Sequence, residues 1–211
     1  MSVTLLETLL ERSAERHRHL CPRQVLGVRM GLLGGATLGL PVPQENKRLL
    51  VIVETDGCFT DGLAVATGCW VGRRTMRVID FGKVAATFVD TQRGRAVRIV
   101  PHPESRQRAQ RYAPGVEDRW MGYLVGYKHM PDEELFVVRL VQLRFSLEKL
   151  ISRDRYRVLC EHCGEEIINE REVFVDGHLL CRGCAGEAYY TYADADKGAV
   201  EDSLPAAMFR V

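Results

Sequence analysis

Two pairs of cysteines near the carboxyl end of the chain form the clearest chemical pattern in the sequence. Residues 160–163 read CEHC and residues 181–184 read CRGC, with 17 residues between the pairs. Each CxxC places two thiolates on one tight turn, and two such turns that face each other form a tetrahedral cage of four sulfurs. Because four protein ligands leave no coordination position for water or substrate, we expect a structural metal site. Its predicted ligands are Cys160, Cys163, Cys181 and Cys184.

The residues around these pairs indicate how the cage is built. EEIINEREVFVDGHLL has the composition of two strands joined at Asp176 and Gly177, and AGEAYYTY, after Cys184, is expected to be helical. This order resembles the treble-clef zinc finger, and the resemblance implies zinc; a four-thiolate cage also leaves iron open as an alternative. A module this small buries little apolar surface, so metal binding is expected to drive its folding. His162 and His178 are expected to be exposed rather than ligating.

A second set of candidate ligands lies near the amino end, where RHRHLCPRQ contains His17, His19 and Cys21. This pattern alone is weak, but Cys58 strengthens it, since a thiol between a glycine turn and a helix has its thiolate favoured by the helix dipole. Imidazole and thiolate suit zinc or another transition metal. His19, Cys21 and Cys58 would hold such a metal with one coordination position open. Redox chemistry by Cys21 and Cys58 is the alternative, and Cys69 is expected to be a buried core residue.

Helices and one sheet must position these residues. Apolar spacing predicts a helix over 3–17, and a second helix, rich in small residues, from Pro22 to the residue before Pro41. A buried strand is predicted over 49–54, followed by a helix that Thr60 or Asp61 caps. Three further strands are predicted over 75–80, 83–90 and 95–100, and they are expected to form an antiparallel meander. A helical stretch over 104–130, interrupted at 113–115, and a last strand over 134–143 follow.

This order of elements predicts an α+β fold in which helices pack on a mainly antiparallel sheet, followed by a small treble-clef-like zinc finger. The sequence changes character near residue 152, where the charged stretch SRDRYRVL is expected to connect the two parts. The predicted organisation is a core domain over 1–152, a four-cysteine zinc finger over 153–192 and a loosely held tail over 193–211.

Composition excludes several classes of protein. Lys and Arg number 29 and Asp and Glu 28, so a net charge of +1 favours neither a polyanion-binding basic protein nor an acidic disordered chain. No apolar run reaches the ~18 residues that a membrane span needs. The amino end lacks the order of a secretory signal, and seven cysteines, an odd number, argue against a disulfide framework. We therefore expect a cytoplasmic protein without membrane contact.

A longer series of motifs resembles one known family. HxHxCP at residues 17–22 is followed by GxRMG, then by ExDGCxxDxxxxxTGCxxG from Glu54, and then by DFGKxAxTF from Asp80. These motifs, in this order, resemble the FmdE family, which is named for the FmdE component of formylmethanofuran dehydrogenase and includes its relatives. The resemblance runs from about residue 14 to residue 145.

This resemblance implies a homodimeric α+β core with a cleft lined by His and Cys residues. It also implies a partner, a molybdenum- or tungsten-dependent formylmethanofuran dehydrogenase-type enzyme, without assigning a reaction to the family itself. The sequence carries no pterin, flavin or nucleotide fingerprint, so we do not expect a complete oxidoreductase on this chain. By position, the cleft residues would be His17, His19, Cys21 and Cys58, with Asp56 and Asp61 close by.

The sequence departs from the family phrase at two positions, because Arg18 and Arg23 stand where the family usually has glycine. Glycine permits a close backbone approach or a positive φ, and arginine permits neither readily. Two guanidinium groups beside the cleft imply either that the pocket has been adapted to an anionic ligand or that it is closed.

A basic strip gives an alternative function. Residues 91–112 contain six arginines and one acidic residue, Glu104. Next to a zinc finger, such a strip suggests a non-enzymatic regulator that binds nucleic acid or a protein partner. The near-neutral net charge and the lack of an RNA-binding aromatic signature make nucleic acid the less favoured partner. The arginines are Arg93, Arg95, Arg98, Arg106, Arg108 and Arg111.

Overall fold

The computed structural model describes residues 4–151 and 155–191. The chain divides into two compact units, Met1–Leu147 and Glu148–Val211. The division lies close to the predicted boundary at residue 152, and the predicted tail over 193–211 lies outside the described residues. In the described part of the chain, no helix is long and apolar enough to span a membrane.

Three helices form the layer that carries the N-terminal candidate residues: α1 (Leu5–His17), α2 (Pro22–Leu38) and α3 (Cys58–Thr67). The side chain of Thr4 accepts the backbone N–H of Glu7, and the carboxylate of Glu7 accepts the N–H of Thr4, so a capping box starts α1. The predicted start of α3 at Thr60 or Asp61 is wrong. Gly57 is its N-cap, with φ 77° and ψ −156°, a conformation that side chains exclude.

The sheet has five strands in the order β2-β1-β3-β4-β5. The predicted meander of the three strands over 75–100 is wrong in one respect. β2 lies beyond β1 and pairs parallel to it, whereas the other neighbours are antiparallel, because the chain crosses over through α3 between β1 and β2. The strands are β1 (Leu49–Val53), β2 (Met76–Val78), β3 (Ala86–Asp90), β4 (Ala96–Pro101) and β5 (Phe136–Val141).

Glycines let α2 approach its neighbours closely, as its small-residue face predicts. A Cβ atom at Gly27 would lie 2.2 Å from the carbonyl oxygen of Phe59, and one at Gly62 would lie 2.5 Å from that of Gln24. Further along, Gly31 faces Ala66. Because both helices advance together along this contact, α2 and α3 run parallel with their amino ends side by side.

Shorter elements complete the first unit. The helical stretch predicted over 104–130 is interrupted as expected, with a 3₁₀ turn at Gln110–Tyr112 and a loop before its longest helix. A second 3₁₀ turn at Val71–Arg73 precedes β2. The helices are α4 (Ser105–Ala109), α5 (Arg119–His129) and α6 (Asp132–Leu135). The next helix, α7 (Leu147–Ile151), begins at the last residue of the first unit and lies otherwise in the second.

The second unit consists of two small hairpins around the cysteines. β6 (Arg157–Leu159) pairs with β7 (Glu166–Ile168), and β8 (Val173–Val175) pairs with β9 (His178–Leu180). The turn between β8 and β9 lies at Asp176 and Gly177 as predicted. The stretch predicted to be a charged connector supplies β6 instead, because Val158 faces the buried Ile167 on the partner strand.

The helix predicted after Cys184 is wrong for the residues that the structure describes up to 191. A single π turn, Gly183–Glu187, stands there, and Gly186 breaks it with φ 98°. The following Tyr189 is 96% exposed, so its ring packs on no apolar surface of the core that would stabilise a helix.

Candidate metal centres and an adjoining cavity

Three helix ends meet at the N-terminal candidate site. α1 ends at His17, Cys21 immediately precedes α2, and Cys58 begins α3. The Sγ atom of Cys58 lies 3.0 Å from Nε2 of His17, and the Cys21 thiol is near enough to the Cys58 thiol to raise its pKa. The parallel packing of α2 and α3 through Gly27 and Gly62 brings the two thiols together although they are far apart in sequence.

Asp61 orients the imidazole of this site. Its Oδ2 atom lies 3.1 Å from Nδ1 of His17, on the side of the ring opposite Cys58. Asp61 and Cys58 both lie in the first turn of α3, so one helix end holds both groups that contact the ring. A carboxylate on the remote ring nitrogen is the usual arrangement of a ligating histidine, since it fixes the tautomer and raises the basicity of the other nitrogen. Asp56 is exposed in the preceding loop.

The environment of Cys58 opposes its ionisation. Burial raises the pKa of Cys58, and the neighbouring Cys21 thiol raises it further. A helix dipole acting alone would have the opposite effect and favour the Cys58 thiolate. A buried thiol, Cys21, and a half-buried thiol, Cys58, beside an imidazole favour a bound cation, because a cation stabilises both thiolates at once.

His19 is less closely placed than His17. Its ring lies 4.9 Å from the ring of His17, centroid to centroid, and its side chain is exposed. Arg18, between them, has φ 62°, so the position where the family has glycine does require a left-handed backbone. Among our favoured ligands, the structure thus brings Cys21 and Cys58 together and places His17, rather than His19, against the thiol.

The cysteines of the second unit form a tighter cluster. Their four sulfur atoms all lie within 4.8 Å of one another. Among the described residues, no other group of three or more His, Cys, Asp or Glu ligand atoms meets this distance. Sulfurs at such separations fit a metal bound at about 2.3 Å from each. The cluster can therefore hold a metal ion, as the spacing of the two CxxC pairs predicts.

Backbone amides prepare this cluster for negative charge. Burial opposes ionisation of Cys160, but the N–H groups of Cys163, Cys181 and His162 outweigh it and lower the pKa of Cys160 to about 6. The N–H of Cys184 likewise points at the sulfur of Cys181, at 3.3 Å. Burial and the neighbouring thiols raise the pKa of Cys184 instead, so the fourth ligand is the one that most requires a cation.

The histidines and the remaining cysteine have the structural roles predicted for them. His162 and His178 are exposed, and Nδ1 of His178 lies 2.9 Å from the carboxylate of Glu161. Cys69 is buried, and its sulfur accepts a hydrogen bond of 3.0 Å from Nε2 of Gln44. Burial raises the pKa of Cys69.

The arginine strip does not form a continuous positive surface. Arg98 binds the buried carboxylate of Glu54 through two hydrogen bonds, of 2.5 and 2.6 Å. Two more of its arginines form ion pairs, Arg108 with Glu104 and Arg111 with Glu134. These pairs reduce the charge that a nucleic acid would meet, so the observations do not favour that alternative.

A cavity of about 430 Å³ adjoins the N-terminal site. Cys21 and Arg23 line it at the start of α2, and Arg106 lines it from α4. Sequence reasoning missed the aromatic wall, which comes from α5. The signal was present, since Trp120, Tyr123 and Tyr127 stand at helical spacing.

Comparisons with known proteins agree with the fold. A crystal structure of a tungsten formylmethanofuran dehydrogenase FmdE-like protein from Syntrophus aciditrophicus is similar, with a TM-score of 0.57 over 88% of this chain and 95% of that chain, at 22% identity. A "Probable S-adenosyl-L-methionine-binding protein" of Archaeoglobus fulgidus is 32% identical over 208 residues, covering 87% of this chain. The chain spans about half, 54%, of that relative's length.

The family model described as "FmdE, Molybdenum formylmethanofuran dehydrogenase operon" matches residues 16–137. The match includes His17, Cys21 and Cys58 together with all five strands of the sheet except the last residues of β5. The chain therefore belongs to the FmdE family.

Proposed function

We propose that this protein binds a transition metal in the cleft formed by His17, Cys21 and Cys58. The observation that carries the proposal is the contact of Cys58 Sγ with His17 Nε2 at 3.0 Å, beside a Cys21 thiol that is near enough to raise the pKa of Cys58. The three ligand atoms do not all lie within 4.8 Å of one another, so a bound metal would have to draw them closer together. His19 is close enough to join or exchange with His17 after a rotation of its exposed side chain. Three protein ligands leave one coordination position for a small ligand.

The second metal of this proposal is a zinc ion in the four-cysteine cluster, in a treble-clef-like finger. Four thiolates close the coordination sphere, so this ion is structural. The first cysteine pair lies in the turn between β6 and β7, and the second pair follows the β8–β9 hairpin. This order supports the treble-clef assignment, although the helix of that motif is reduced here to one π turn. We expect the finger to fold with its metal and to serve for docking of a partner.

We further propose that the protein is an accessory subunit or partner of a molybdenum- or tungsten-dependent formylmethanofuran dehydrogenase-type system. The family's description and the FmdE-like structural neighbour support this role. A homodimer in the cytoplasm is part of the proposal, because the family resemblance implies a dimer and metal-bound thiols suit a reducing compartment. In this role the cleft metal would bind a small ligand or be passed on to the partner enzyme.

Metal analysis of the full chain tests the cleft site. Protein purified without oxygen is expected to contain two metal ions per chain, and Cys58→Ala is expected to contain one. Cys69→Ala is the matched control, because it also removes a thiol near α3 but one that lies in the core. A Cys58→Ala protein that retains all the metal of the parent would contradict the cleft site and leave the finger unaffected.

S-adenosylmethionine is a second candidate for the small ligand. The name of the Archaeoglobus relative suggests it, and the aromatic wall of the cavity beside Cys21 could receive an adenine ring. The cavity lining includes two arginines, which would repel the sulfonium of this ligand. Calorimetric titration with S-adenosylmethionine and with uncharged-sulfur S-adenosylhomocysteine tests the idea. Tighter binding of the second compound is expected, and no binding of either removes this candidate.

A further inference from the structure

The cavity beside Cys21 has an unusual balance of charge, which the metal site does not explain. Arg23 and Arg106 line it, and no carboxylate is among its lining residues. Within the described part of the chain, neither guanidinium forms an ion pair. Cys21 and Arg23 also stand at the amino end of α2, where the helix dipole adds partial positive charge. The lining therefore carries a net positive charge, with two arginines and no acidic residue among its described members.

The walls of the cavity are apolar and aromatic. The rings of Tyr123 and Tyr127 stack at 5.9 Å with an angle of 10° between their planes, and Trp120 lies one turn before them on α5. Leu26 and Val84 add aliphatic surface. A flat apolar body can lie against such rings, and about 430 Å³ is large enough for a small molecule of two fused rings.

Arg106 is exposed on α4 and lines the cavity near Tyr127. Burial raises the pKa of Tyr127, and the nearby charge of Arg106 opposes this rise. Arg23 is exposed on the first turn of α2, at the mouth of the same cavity. Two forked donors on one cavity match the planar oxygens of a carboxylate or the oxygens of a phosphate.

We propose that this cavity binds a small anion with a flat apolar body, whose carboxylate or phosphate pairs with Arg23 and Arg106 while its ring packs against the tyrosines. The inference rests on the proposed function only in that Cys21 is shared between the cavity and the metal cleft. It assigns a purpose to Arg23, which stands where the family phrase has glycine, and to the aromatic wall, which the sequence pattern left unassigned.

Four probes with one ring system and different head groups test the proposal by calorimetry on the full chain. Naphthalene-2-carboxylate is expected to bind about tenfold more tightly than its neutral amide, since charge-assisted hydrogen bonds exceed neutral ones by this order. The cation 2-(aminomethyl)naphthalene is expected to bind most weakly. 2-Naphthyl phosphate distinguishes the two anion classes, because the tighter of the two anions identifies the natural head group.

Arginine variants locate the binding. Arg23→Gln and Arg106→Gln are each expected to weaken carboxylate binding about tenfold and to leave binding of the amide unchanged. Arg93→Gln is the matched control, since Arg93 is exposed in the same basic strip but does not line the cavity. A thermal melt of each variant separates loss of binding from loss of folding.

Equal binding of carboxylate and amide would overturn the proposal, as would an equal effect of Arg93→Gln or no binding of any probe. The metal content of the same preparations distinguishes this outcome from failure of the proposed cleft metal. If anion binding is lost in Arg106→Gln while two metal ions stay bound, both proposals hold. If anion binding is normal in a protein with one metal ion, only the cleft metal is wrong.

Discussion

The two cysteine sites of this molecule are built in opposite ways. In the first unit, buried side chains of α2, α3 and the sheet, among them Phe59 and Phe88, hold the helix ends on which His17 and the two thiols stand. In the second unit the buried cluster consists of Cys160, Ile167 and Leu180, so one of its three buried residues is itself a candidate metal ligand. A core positions the first site, whereas the second must be held together by what it binds.

The electrostatics of the two sites follow this difference. Side chains hold the N-terminal donors, with Asp61 on one nitrogen of His17 and a thiol on the other. Backbone N–H groups hold the sulfurs of the finger, as from Cys181 to Cys160 at 3.3 Å. Side chains on a rigid scaffold leave room for ligand exchange, whereas a cage closed by its own backbone does not. The comparison predicts that metal loss unfolds only the second unit.

The largest effect is expected from Cys181→Ser or from chelation of the finger metal. Because structural zinc contributes about 10–16 kcal/mol in small fingers, we expect residues 155–191 to lose their amide protection completely. The first unit should keep its protection and its melting temperature. Hydrogen exchange read by mass spectrometry measures both units in one sample.

Cys58→Ala provides the control for this experiment, because it removes a candidate ligand of the first site and should leave both units folded. If the finger stays protected after chelation, its few buried residues suffice for folding, and the contrast between the two sites is wrong.

The next effect concerns the scaffold that brings the two N-terminal thiols together. Gly27→Ala places a Cβ where only 2.2 Å separates it from the carbonyl oxygen of Phe59, so α2 and α3 must move apart. We expect the free energy of unfolding of the first unit to fall by about 1–3 kcal/mol, the usual cost of overpacking. The cleft metal should also bind more weakly, because Cys21 and Cys58 separate. Urea unfolding and metal titration measure the two consequences.

Gly72→Ala is the matched control, since nothing lies within 4 Å of a Cβ at that position. An equal loss of stability in both variants would mean that conformational freedom, rather than the helix contact, makes Gly27 necessary.

A third prediction tests whether the first unit owes its stability to its own residues. Two hydrogen bonds from the Arg48 guanidinium, with backbone N–H groups of Gln92 and Arg93, lower the pKa of the buried Asp90 from 3.8 to about 2. Because the folded pKa lies below the unfolded one, the stabilisation is complete above pH 4 and is lost as the pH falls toward about 2. Asp90→Asn should cost about 1–3 kcal/mol at neutral pH and flatten the loss of stability in acid.

Glu45→Gln is the control for charge removal at an exposed position. Urea unfolding between pH 7 and pH 2, followed by a probe in the first unit, measures the difference. If the parent and Asp90→Asn lose stability in parallel on acidification, the Arg48–Asp90 pair is not the acid-sensitive contact of the core.

Much of this architecture could be predicted from the sequence because the signals are local. Pro22 and the glycines of α2 indicated a helix that packs closely, and the spacing of the two CxxC pairs indicated the cage. The parallel pairing of β2 with β1 could not be predicted, since it depends on where α3 carries the chain rather than on the strand residues.

The candidate site was predictable in its residue types but not in its pairing. HxHxC does not indicate which histidine faces the thiol, because this depends on the end of α1 and on the left-handed turn at Arg18. The start of α3 at Cys58 depends on the φ of Gly57, which a Thr or Asp capping rule overlooks. The cavity is assembled from α2, α4 and α5, and no local pattern spans these elements.

The smallest expected effects separate the two positions where arginine replaces the family's glycine. Arg18 has φ 62° at the end of α1, and a left-handed conformation costs a residue with a side chain about 1–2 kcal/mol. Glycine would remove this cost, but its greater freedom in the unfolded chain offsets part of the gain. Arg18→Gly should therefore stabilise the first unit by about 0.5–1 kcal/mol, measured by urea unfolding.

Arg23→Gly should have the opposite sign. Arg23 lies in the first turn of α2, where glycine costs about 0.5–1 kcal/mol relative to a good helix former. Arg18→Gly and Arg23→Gly are therefore expected to change the stability of the first unit in opposite directions, because only position 18 needs a left-handed backbone. If both destabilise equally, the backbone of the first position is not strained by its arginine. If the signs differ, glycine at the first position serves backbone geometry, and arginine at the second suits the first turn of a helix.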